Sequence, residues 1–228
     1  MKKKGRYLIR LENFSIKDNL KRKLINNVNL FIPSGSIVLI DGNHSSGKTM
    51  LLRAIGLIDE PSEGNLHLLG RSIKKLNRYE LSSIHSEIGI VFQGNNFVDN
   101  FDLESNIIFP LILKKEIRKD INLALQELLP WLNLEQTIKK EINQLSSAEL
   151  KLAQFARAII GRPRILLLDN FFMDIEINMQ KKINYLLLAL NKIGTSIIVT
   201  GKCPEENIIS FSKKYFIDNK SLVERVNT

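Results

Sequence analysis

Two kinds of hydrophobic pattern alternate along the chain and predict its secondary structure. Short runs rich in Ile, Val and Leu are typical of buried strands. They occupy residues 36–41, 65–70, 88–92, 164–169 and 195–200. Segments that are apolar nearly all round, or that repeat apolar residues at helical spacing, predict helices. These occupy residues 48–58, 117–132, 148–160 and 177–190. Strands that alternate with helices predict a mostly parallel sheet with helices on both faces.

The region between the third and fourth of these strands is predicted to be a helical insertion. Within residues 94–160, Ile117, Ile121 and Leu125 recur at helical spacing, with charged and amide residues between them. There is no internal repeat and no low-complexity linker. A length of 228 residues suits one large domain or two small ones and allows a substantial core.

Composition excludes several classes of protein. The chain is 44% hydrophobic and 25% charged, as in ordinary globular proteins. No apolar stretch approaches the ~20 residues that cross a bilayer, and the basic residues 1–6 are not followed by a signal-like apolar region. The single cysteine, Cys203, excludes an intramolecular disulfide framework. We therefore expect neither a secreted, a membrane-spanning nor a zinc-ribbon protein.

The formal net charge of +9 is the one unusual feature of the composition. Such an excess is compatible with nucleic acid or an anionic membrane surface as a neighbour. The basic residues are dispersed, however, and neither a helix-turn-helix pattern nor an aromatic RNA-binding signature accompanies them. We interpret the charge as compositional and expect no specific nucleic-acid partner.

One segment matches a phosphate-binding pattern at every fixed position. Residues 42–49 read GNHSSGKT and fit G-x-x-x-x-G-K-[ST], between a predicted strand and a predicted helix. Backbone N–H groups and the helix N-terminus can surround phosphate oxygens, while Lys48 reaches the β- and γ-phosphates and Thr49 binds Mg²⁺. A glycine-rich turn that binds nothing is the weaker alternative. The predicted nucleotide-binding residues are Gly42, Asn43, His44, Ser45, Ser46, Gly47, Lys48 and Thr49.

A second ligand of Mg²⁺ is expected at the end of another buried strand. Asp169 closes the apolar run at residues 165–168 and is the candidate. An aspartate at this place can also be a helix N-cap. Because the phosphate-binding loop is present, the metal role is favoured.

Further motifs resemble those of the ATP-binding-cassette (ABC) ATPases. Gln93 ends a predicted strand between the two motifs above, and residues 145–149, LSSAE, precede a helix that contains Arg157. In that family a glutamine loop and a signature of the form L-S-G-G-[QE] have this order and spacing. The resemblance implies that Gln93 contacts nucleotide and Mg²⁺, and that Ser146 and Glu149 contact nucleotide. It also implies a P-loop ATPase fold with an N-terminal antiparallel β part.

The resemblance covers nearly the whole chain and implies its organisation and partners. We expect a single ATPase domain at residues 8–223, with a nucleotide-binding core at 8–93 and 161–223 and a helical subdomain at 94–160. Within the family the chain looks closest to the cell-division ATPase FtsE, then to the lipoprotein-releasing ATPase LolD. That likeness implies a cytoplasmic subunit on the inner face of the membrane. Its partners would be an FtsX-like or LolC/LolE-like permease and a second ATPase subunit, identical or different.

The sequence departs from the family pattern where hydrolysis is catalysed. The family's catalytic glutamate follows the acidic strand, and Asn170 stands there. The family's switch histidine follows the next strand, where this chain has Gly201. A neutral amide orients water but does not accept its proton, and loss of a positioned base costs ~10²–10⁴-fold in rate.

Positions that close the family's dimer differ as well. The signature glycines are replaced by Ser147 and Ala148, whose side chains can obstruct backbone approach to a partner's phosphate. Ser146-x-x-Glu149 also fits an ordinary helix capping box. Glu176 replaces an aspartate of the dimer loop, and Asp18 stands where an aromatic residue stacks on adenine.

Three functions are compatible with these residues. We favour a degenerate relative that binds Mg-ATP, hydrolyses it slowly or not at all, and acts as a nucleotide-gated scaffold. A fully active ABC ATPase that drives its membrane partner is the alternative. A P-loop protein associated with nucleic acid is the least favoured.

The resemblance also places the membrane partner near the glutamine loop. This implies that Phe97, Val98, Phe101 and residues 107–111 lie at or beneath the contact. For most of them local core packing is the better explanation, because exposed apolar clusters need a specific cause.

Overall fold

The computed structural model describes residues 7–18, 20–94, 96–173, 175–203 and 209–225, which form two sheets and six α-helices. The strands are β1 (Tyr7–Lys17), β2 (Lys23–Pro33), β3 (Ile37–Gly42), β4 (Glu63–Leu68), β5 (Arg71–Ser72), β6 (Ile88–Val91), β7 (Ile165–Asp169), β8 (Ser196–Thr200), β9 (Lys213–Asp218) and β10 (Ser221–Arg225). The helices are α1 (Lys48–Ile55), α2 (Arg78–His85), α3 (Leu103–Leu113), α4 (Arg118–Trp131), α5 (Ser147–Ile160) and α6 (Ile177–Lys192).

The larger sheet has six strands in the order β10-β9-β3-β8-β7-β6. Its neighbours from β9 to β6 are parallel, and β10 pairs antiparallel with β9. Every residue of β7 and β8 is buried, as expected for strands covered on both faces. Because the strands are parallel, the ends of β3, β6, β7 and β8 meet at one edge, where ligands bind in open α/β sheets.

The smaller sheet is antiparallel, in the order β2-β1-β4-β5. The hydrophobic pattern did not locate β1 and β2. In β1 the alternation of buried and exposed residues breaks, and its pairing with β2 contains several register shifts. β4 begins at Glu63, two residues before the predicted strand at 65–70, and Gly64 has a φ of +86° where β1 and β4 lose register. An antiparallel β part near the N-terminus was implied by the family resemblance alone.

Helices α3, α4 and α5 lie together in the region predicted to be a helical insertion. α3 and α5 pack against each other, and both contribute buried residues to one hydrophobic cluster, among them Leu103, Ile107 and Phe155. α3 is short and contains Pro110. In the part of the chain described here, no helix has both the length and the apolar character that a bilayer crossing requires.

Candidate nucleotide-binding site

The phosphate-binding pattern forms the loop between β3 and α1. Gly47 has a φ of +97° immediately before α1, a conformation that favours glycine. A Cβ at Gly47 would lie 3.1 Å from Cδ1 of Ile25, and one at Gly42 would lie 2.6 Å from Oγ of Ser46. The positive φ of Gly47 and the close neighbours of both glycines disfavour side chains at these two fixed positions of the pattern.

Lys48 is folded back onto this loop. Its ammonium group donates hydrogen bonds to the carbonyl oxygens of Gly42 at 2.7 Å and Asn43 at 2.8 Å, and lies 3.3 Å from Oγ of Ser46. The lysine is only 9% exposed. Phosphate oxygens entering the loop would therefore replace backbone carbonyls as its acceptors.

A buried cluster of oxygens joins the loop to the neighbouring strands. The Thr49 hydroxyl donates to Oδ2 of Asp169 at 2.8 Å, and the Thr200 hydroxyl donates to Oδ1 at 2.7 Å. Asp169 is 1% exposed and pairs with Thr200 across β7 and β8. Asp169 caps no helix among the residues that the structure describes, since the next helix, α6, begins at Ile177 and has Glu176 at its N-cap position. Hydroxyl and carboxylate oxygens beside a phosphate loop are ligands that suit Mg²⁺.

Sequence reasoning did not anticipate Thr200. The only signal in the sequence was a polar residue directly after the apolar run at residues 197–199, and this signal is weak without knowledge of the strand order. Among the described residues there is no group of three His, Cys, Asp or Glu side chains placed to hold a metal. The candidate metal position is therefore the smaller group of oxygens formed by Asp169, Thr49 and Thr200.

Asn170 and Gly201 contact each other. Asn170 follows β7 with a φ of 45°, and its N–H donates to Oγ1 of Thr200 at 3.2 Å. Gly201 follows β8 with a φ of +86°, and a Cβ built there would collide with the side-chain amide of Asn170. The two departures from the family pattern therefore form one packed unit, in which the Asn170 amide fills the space of the absent side chain.

Gln93 lies at the end of β6 and is exposed. It lines a cavity of about 300 Å³ together with Asn170, so the structure brings these two predicted residues to one opening. Gln154 of α5, only 2% exposed, donates a 2.6 Å hydrogen bond from Nε2 to the carbonyl of Gly94. Sequence reasoning missed Gln154, although an amide inside an apolar helical stretch was a visible signal.

The signature-like segment forms a helix cap, as the alternative interpretation predicted. Ser146 caps α5: its hydroxyl accepts from the Glu149 N–H at 3.2 Å and donates to Glu149 Oε2 at 2.8 Å. Lys140 donates to Oε1 of Glu149 at 2.6 Å, and Thr137 donates at 3.1 Å. The Lys140 bond, with those from Ser146, lowers the Glu149 pKa to about 2. Both signature side chains are therefore engaged within the chain itself.

Asp18 and Glu176, the other two residues that differ from the family pattern, form hydrogen bonds with neighbours in the chain. The Asp18 carboxylate accepts hydrogen bonds from the N–H groups of Leu20 and Arg22 and from Nε of Arg22 at 2.7 Å, which closes the turn between β1 and β2. Glu176 precedes α6 without capping it and accepts from Asn178 Nδ2 at 3.2 Å. The Asp18 carboxylate, held in this turn, offers no flat surface on which adenine can stack.

The docking segment predicted around the glutamine loop is divided between core and surface. Phe97, Ile107, Ile108 and Leu111 are buried, as local core packing predicted. Val98 and Phe101 are 40% and 36% exposed. Part of this segment is therefore accessible to another protein.

Comparison with known sequences shows extended similarity to transport ATPases. A family model described as "ABC transporter" matches residues 25–172. The methionine import ATP-binding protein MetN of Xylella fastidiosa is 32% identical over 75% of this chain and 52% of its own length. The lipoprotein-releasing system ATP-binding protein LolD of Colwellia psychrerythraea is 27% identical over 81% of this chain and 72% of its own length. The chain thus spans about half the length of its MetN relatives.

Known structures show the same architecture. A dimeric ATP-binding cassette in a post-hydrolysis state, bound to ADP and Pi, superposes with a TM-score of 0.86 and 26% identity, over 95% of this chain and 97% of that one. A dimeric bacterial ABC transporter cassette gives a TM-score of 0.85 and 27% identity, over 94% and 96% of the two chains. The predicted P-loop ATPase fold, with its mostly parallel sheet, is confirmed.

Proposed function

The chain belongs to the ABC transporter family of ATP-binding proteins, and from this premise we propose that it is a nucleotide-gated scaffold. In this proposal it binds Mg-ATP, hydrolyses it slowly or not at all, and transmits the bound state to a membrane subunit. The observation that carries the proposal is the packing of Asn170 against Gly201, where the family has a glutamate and a histidine.

The parts that bind nucleotide support the first half of the proposal. Lys48 lies over the phosphate loop, and Thr49 and Asp169 share a hydrogen bond at its base. Mg²⁺ held by these oxygens and by Gln93 would neutralise charge on the β- and γ-phosphates. The other loop residues contribute backbone N–H groups, which need no particular side chain.

The parts that accelerate hydrolysis support the second half. Catalysis of phosphoryl transfer depends on positioning and on charge stabilisation. The Asn170 amide does not take a proton from water, and Gly201 has no side chain to contact a γ-phosphate. Loss of the base alone accounts for a rate lower by ~10²–10⁴-fold.

The signature-like segment, residues 145–149, would affect how two ATPase subunits form a dimer. Ser146 and Glu149 bond to each other, and Ser147 and Ala148 place side chains where the family has glycines. A second subunit would have to break this cap to place its phosphate there. We therefore extend the proposal to a pair, a homodimer or a dimer with another ATPase subunit, in which this signature contributes little to hydrolysis.

The proposed setting is the inner face of the membrane. The chain would act as one ATPase unit at residues 8–223, with residues 94–160 as the helical subdomain, beside an FtsX-like or LolC/LolE-like permease. Its role would then concern cell division or lipoprotein traffic. Support comes from the LolD relative and from the motif order around Gln93.

A fully active ATPase that drives its membrane partner is the second candidate. The complete phosphate loop and the relatives named for methionine import and macrolide export favour it. In that case a group other than residue 170 would have to activate water. Turnover separates the two candidates.

The test is ATP binding and steady-state hydrolysis by the purified chain with Mg²⁺. We expect binding without turnover in the ~1–100 s⁻¹ range of phosphoryl-transfer enzymes. Asn170→Glu should regain some activity, because it restores a base. Gly201→His alone should not, since its Cβ would collide with Asn170. Lys48→Met is the control that abolishes binding, and brisk turnover by the unaltered chain would overturn the scaffold proposal.

A further inference from the structure

The corner at which α3 passes into α4 exposes three large apolar side chains. Ile112 is 47% exposed, Leu113 59% and Ile117 62%. We call residues 112–119 the α3–α4 corner. A group of exposed apolar side chains needs a specific cause, and contact with a partner is the usual one.

The α3–α4 corner also carries an excess of positive charge. It contains one acidic residue, Glu116, and four basic residues, which give a formal charge of +3. The basic residues are Lys114, Lys115, Arg118 and Lys119. Lys115 and Lys119 are exposed and form no ion pair with any residue that the structure describes. Two cations beside the apolar side chains are therefore not neutralised within the chain.

The residues of the corner depart from those that helix ends favour. Lys115 has a φ of 59° just past the end of α3, where glycine is favoured. Ile117 is the N-cap of α4 and accepts no capping hydrogen bond, where a polar side chain is favoured. Arg118 and Lys119 lie in the first turn of α4, where the helix dipole favours acidic residues and only Asp120 is one. Each departure lowers local stability and places a cation or an apolar side chain at the surface, as expected of a functional site.

The corner is fixed to the elements around it. Lys114 donates a hydrogen bond to the carbonyl oxygen of Gly161 at 2.8 Å and pairs with Glu87 at 3.6 Å. Arg118 lies 3.9 Å from Glu104. The exposed side chains are thus presented on a preformed turn, so that little backbone freedom would be lost on contact with a partner.

We propose that the α3–α4 corner contacts the anionic surface of a lipid bilayer directly. Ile112, Leu113 and Ile117 would enter the boundary between headgroups and acyl chains, while Lys115 and Lys119 would contact lipid phosphates. Apolar side chains flanked by basic residues are typical of protein surfaces that lie at this boundary. Anionic lipids attract such cations, and this charge complementarity selects the occupant. The contact would be additional to any membrane subunit and goes beyond the proposed function.

A structural role and a lipid-binding role predict opposite effects of Ile117→Asp. The substitution supplies the missing cap of α4 and an acid at its N-terminus, so the melting temperature of the free chain should stay the same or rise. It also removes an apolar side chain and adds a negative charge, so binding to anionic vesicles should fall by about tenfold or more. A lower melting temperature would show that Ile117 serves the fold and would overturn the inference.

The experiment measures co-sedimentation of the full chain with lipid vesicles. Vesicles of phosphatidylcholine and phosphatidylglycerol in equal parts are compared with vesicles of phosphatidylcholine alone. We expect binding to the anionic vesicles that weakens as salt is added, and little binding to the neutral ones. Lys115→Gln and Lys119→Gln should each lower the partition coefficient by about fivefold, the loss expected for one lysine near such a surface.

Two matched controls lie at the end of α6, outside the corner. Lys192→Gln and Ile193→Ser alter an exposed lysine and an exposed isoleucine, and vesicle binding should not change. Losses equal to those of the corner variants would show a general attraction of the basic chain and would overturn the inference. No binding by the unaltered chain would overturn it as well, because another protein would then have to occupy the corner. The proposed function would stand in either case, since these vesicles contain no membrane subunit.

Tryptophan fluorescence locates the contact. Trp131 is the only tryptophan of the chain and lies at the other end of α4. Ile117→Trp in a Trp131→Phe background should shift its emission to shorter wavelengths when anionic vesicles are added. Trp131 in the unaltered chain should shift less. An unchanged emission from position 117 would contradict the proposed contact.

Discussion

At the scale of single residues, the Glu149 carboxylate is held in place by hydrogen bonds from its neighbours in the chain. It accepts hydrogen bonds from Ser146, Thr137 and Lys140, so that one carboxylate caps α5 and ties it to the preceding segment. Every partner lies within twelve positions of it in sequence. A capping box is a local pattern, and for this reason the sequence alone could predict it.

The lowered pKa of Glu149 predicts a pH dependence of stability. Its pKa of about 2 in the folded state lies below the ordinary value of 4.5 for a glutamate, so the ionised carboxylate stabilises the fold fully above about pH 4.5. This contribution is lost as the pH falls toward 2. Lys140→Met removes the largest cause of the shift and should raise the Glu149 pKa. At pH 7 it should lower the free energy of unfolding by ~0.2–1 kcal/mol.

NMR titration of the Glu149 carboxyl carbon and urea unfolding at pH 7 and pH 3 measure these effects. Lys139→Met is the matched control, because Lys139 is the adjacent exposed lysine and makes no bond to Glu149. An unchanged Glu149 titration in Lys140→Met would show that another group lowers the pKa.

At the scale of elements, the close approach of β6 and α5 sets the geometry of the site. A Cβ at Gly89 of β6 would collide with the carbonyl oxygen of Ala158 in α5. β6 leads to Gln93, and α5 begins beside Ser146, so this contact fixes the spacing between the glutamine loop and the signature segment. Gln154 adds a direct bond from α5 to that loop.

Gly89→Ala should therefore force the two elements apart. We expect the free energy of unfolding to fall by ~1–3 kcal/mol, as for overpacked cores. Gly161→Ala is the matched control: Gly161 ends α5, and a Cβ there would meet Pro110 Cβ at an ordinary 3.4 Å. Its effect should stay within ~0.5 kcal/mol. Equal losses in urea unfolding of the two variants would argue against the steric explanation.

At the scale of the whole molecule, nucleotide binding should increase the free energy of unfolding. The phosphate loop joins β3 to α1, and Thr49 and Thr200 tie α1 and β8 to Asp169 of β7, so a ligand there contacts the centre of the larger sheet. A ligand that binds only the folded chain stabilises it by ~2.7 kcal/mol at a hundred times its Kd.

Saturating Mg-ATP should therefore raise the melting temperature by roughly 5–10 °C for a domain of this size. Lys48→Met should lose most of this increase, because it removes the cation that contacts the phosphates. Asn170→Glu should keep it, since that residue is not needed for binding. A full increase in Lys48→Met, measured by differential scanning fluorimetry, would contradict the assignment of the loop.

The amino-acid sequence by itself determined the features that are local in the chain. Apolar runs located β3, β6, β7 and β8, and the contiguous residues 42–49 identified the phosphate loop. The acidic strand end at Asp169 and its successor Asn170 were visible for the same reason. Hydrophobic periodicity and contiguous motifs depend on neighbours along the chain, so no tertiary structure is needed to read them.

Only the tertiary structure decided which distant residues meet. The contact of Asn170 with Gly201, the bond of Thr200 to Asp169 and the bond of Gln154 to Gly94 all join separate elements. They depend on the strand order β3-β8-β7-β6, on register and on helix packing. Strand order, register and helix packing are decided together, because every apolar face must be buried against another element. No local sequence pattern specifies this arrangement.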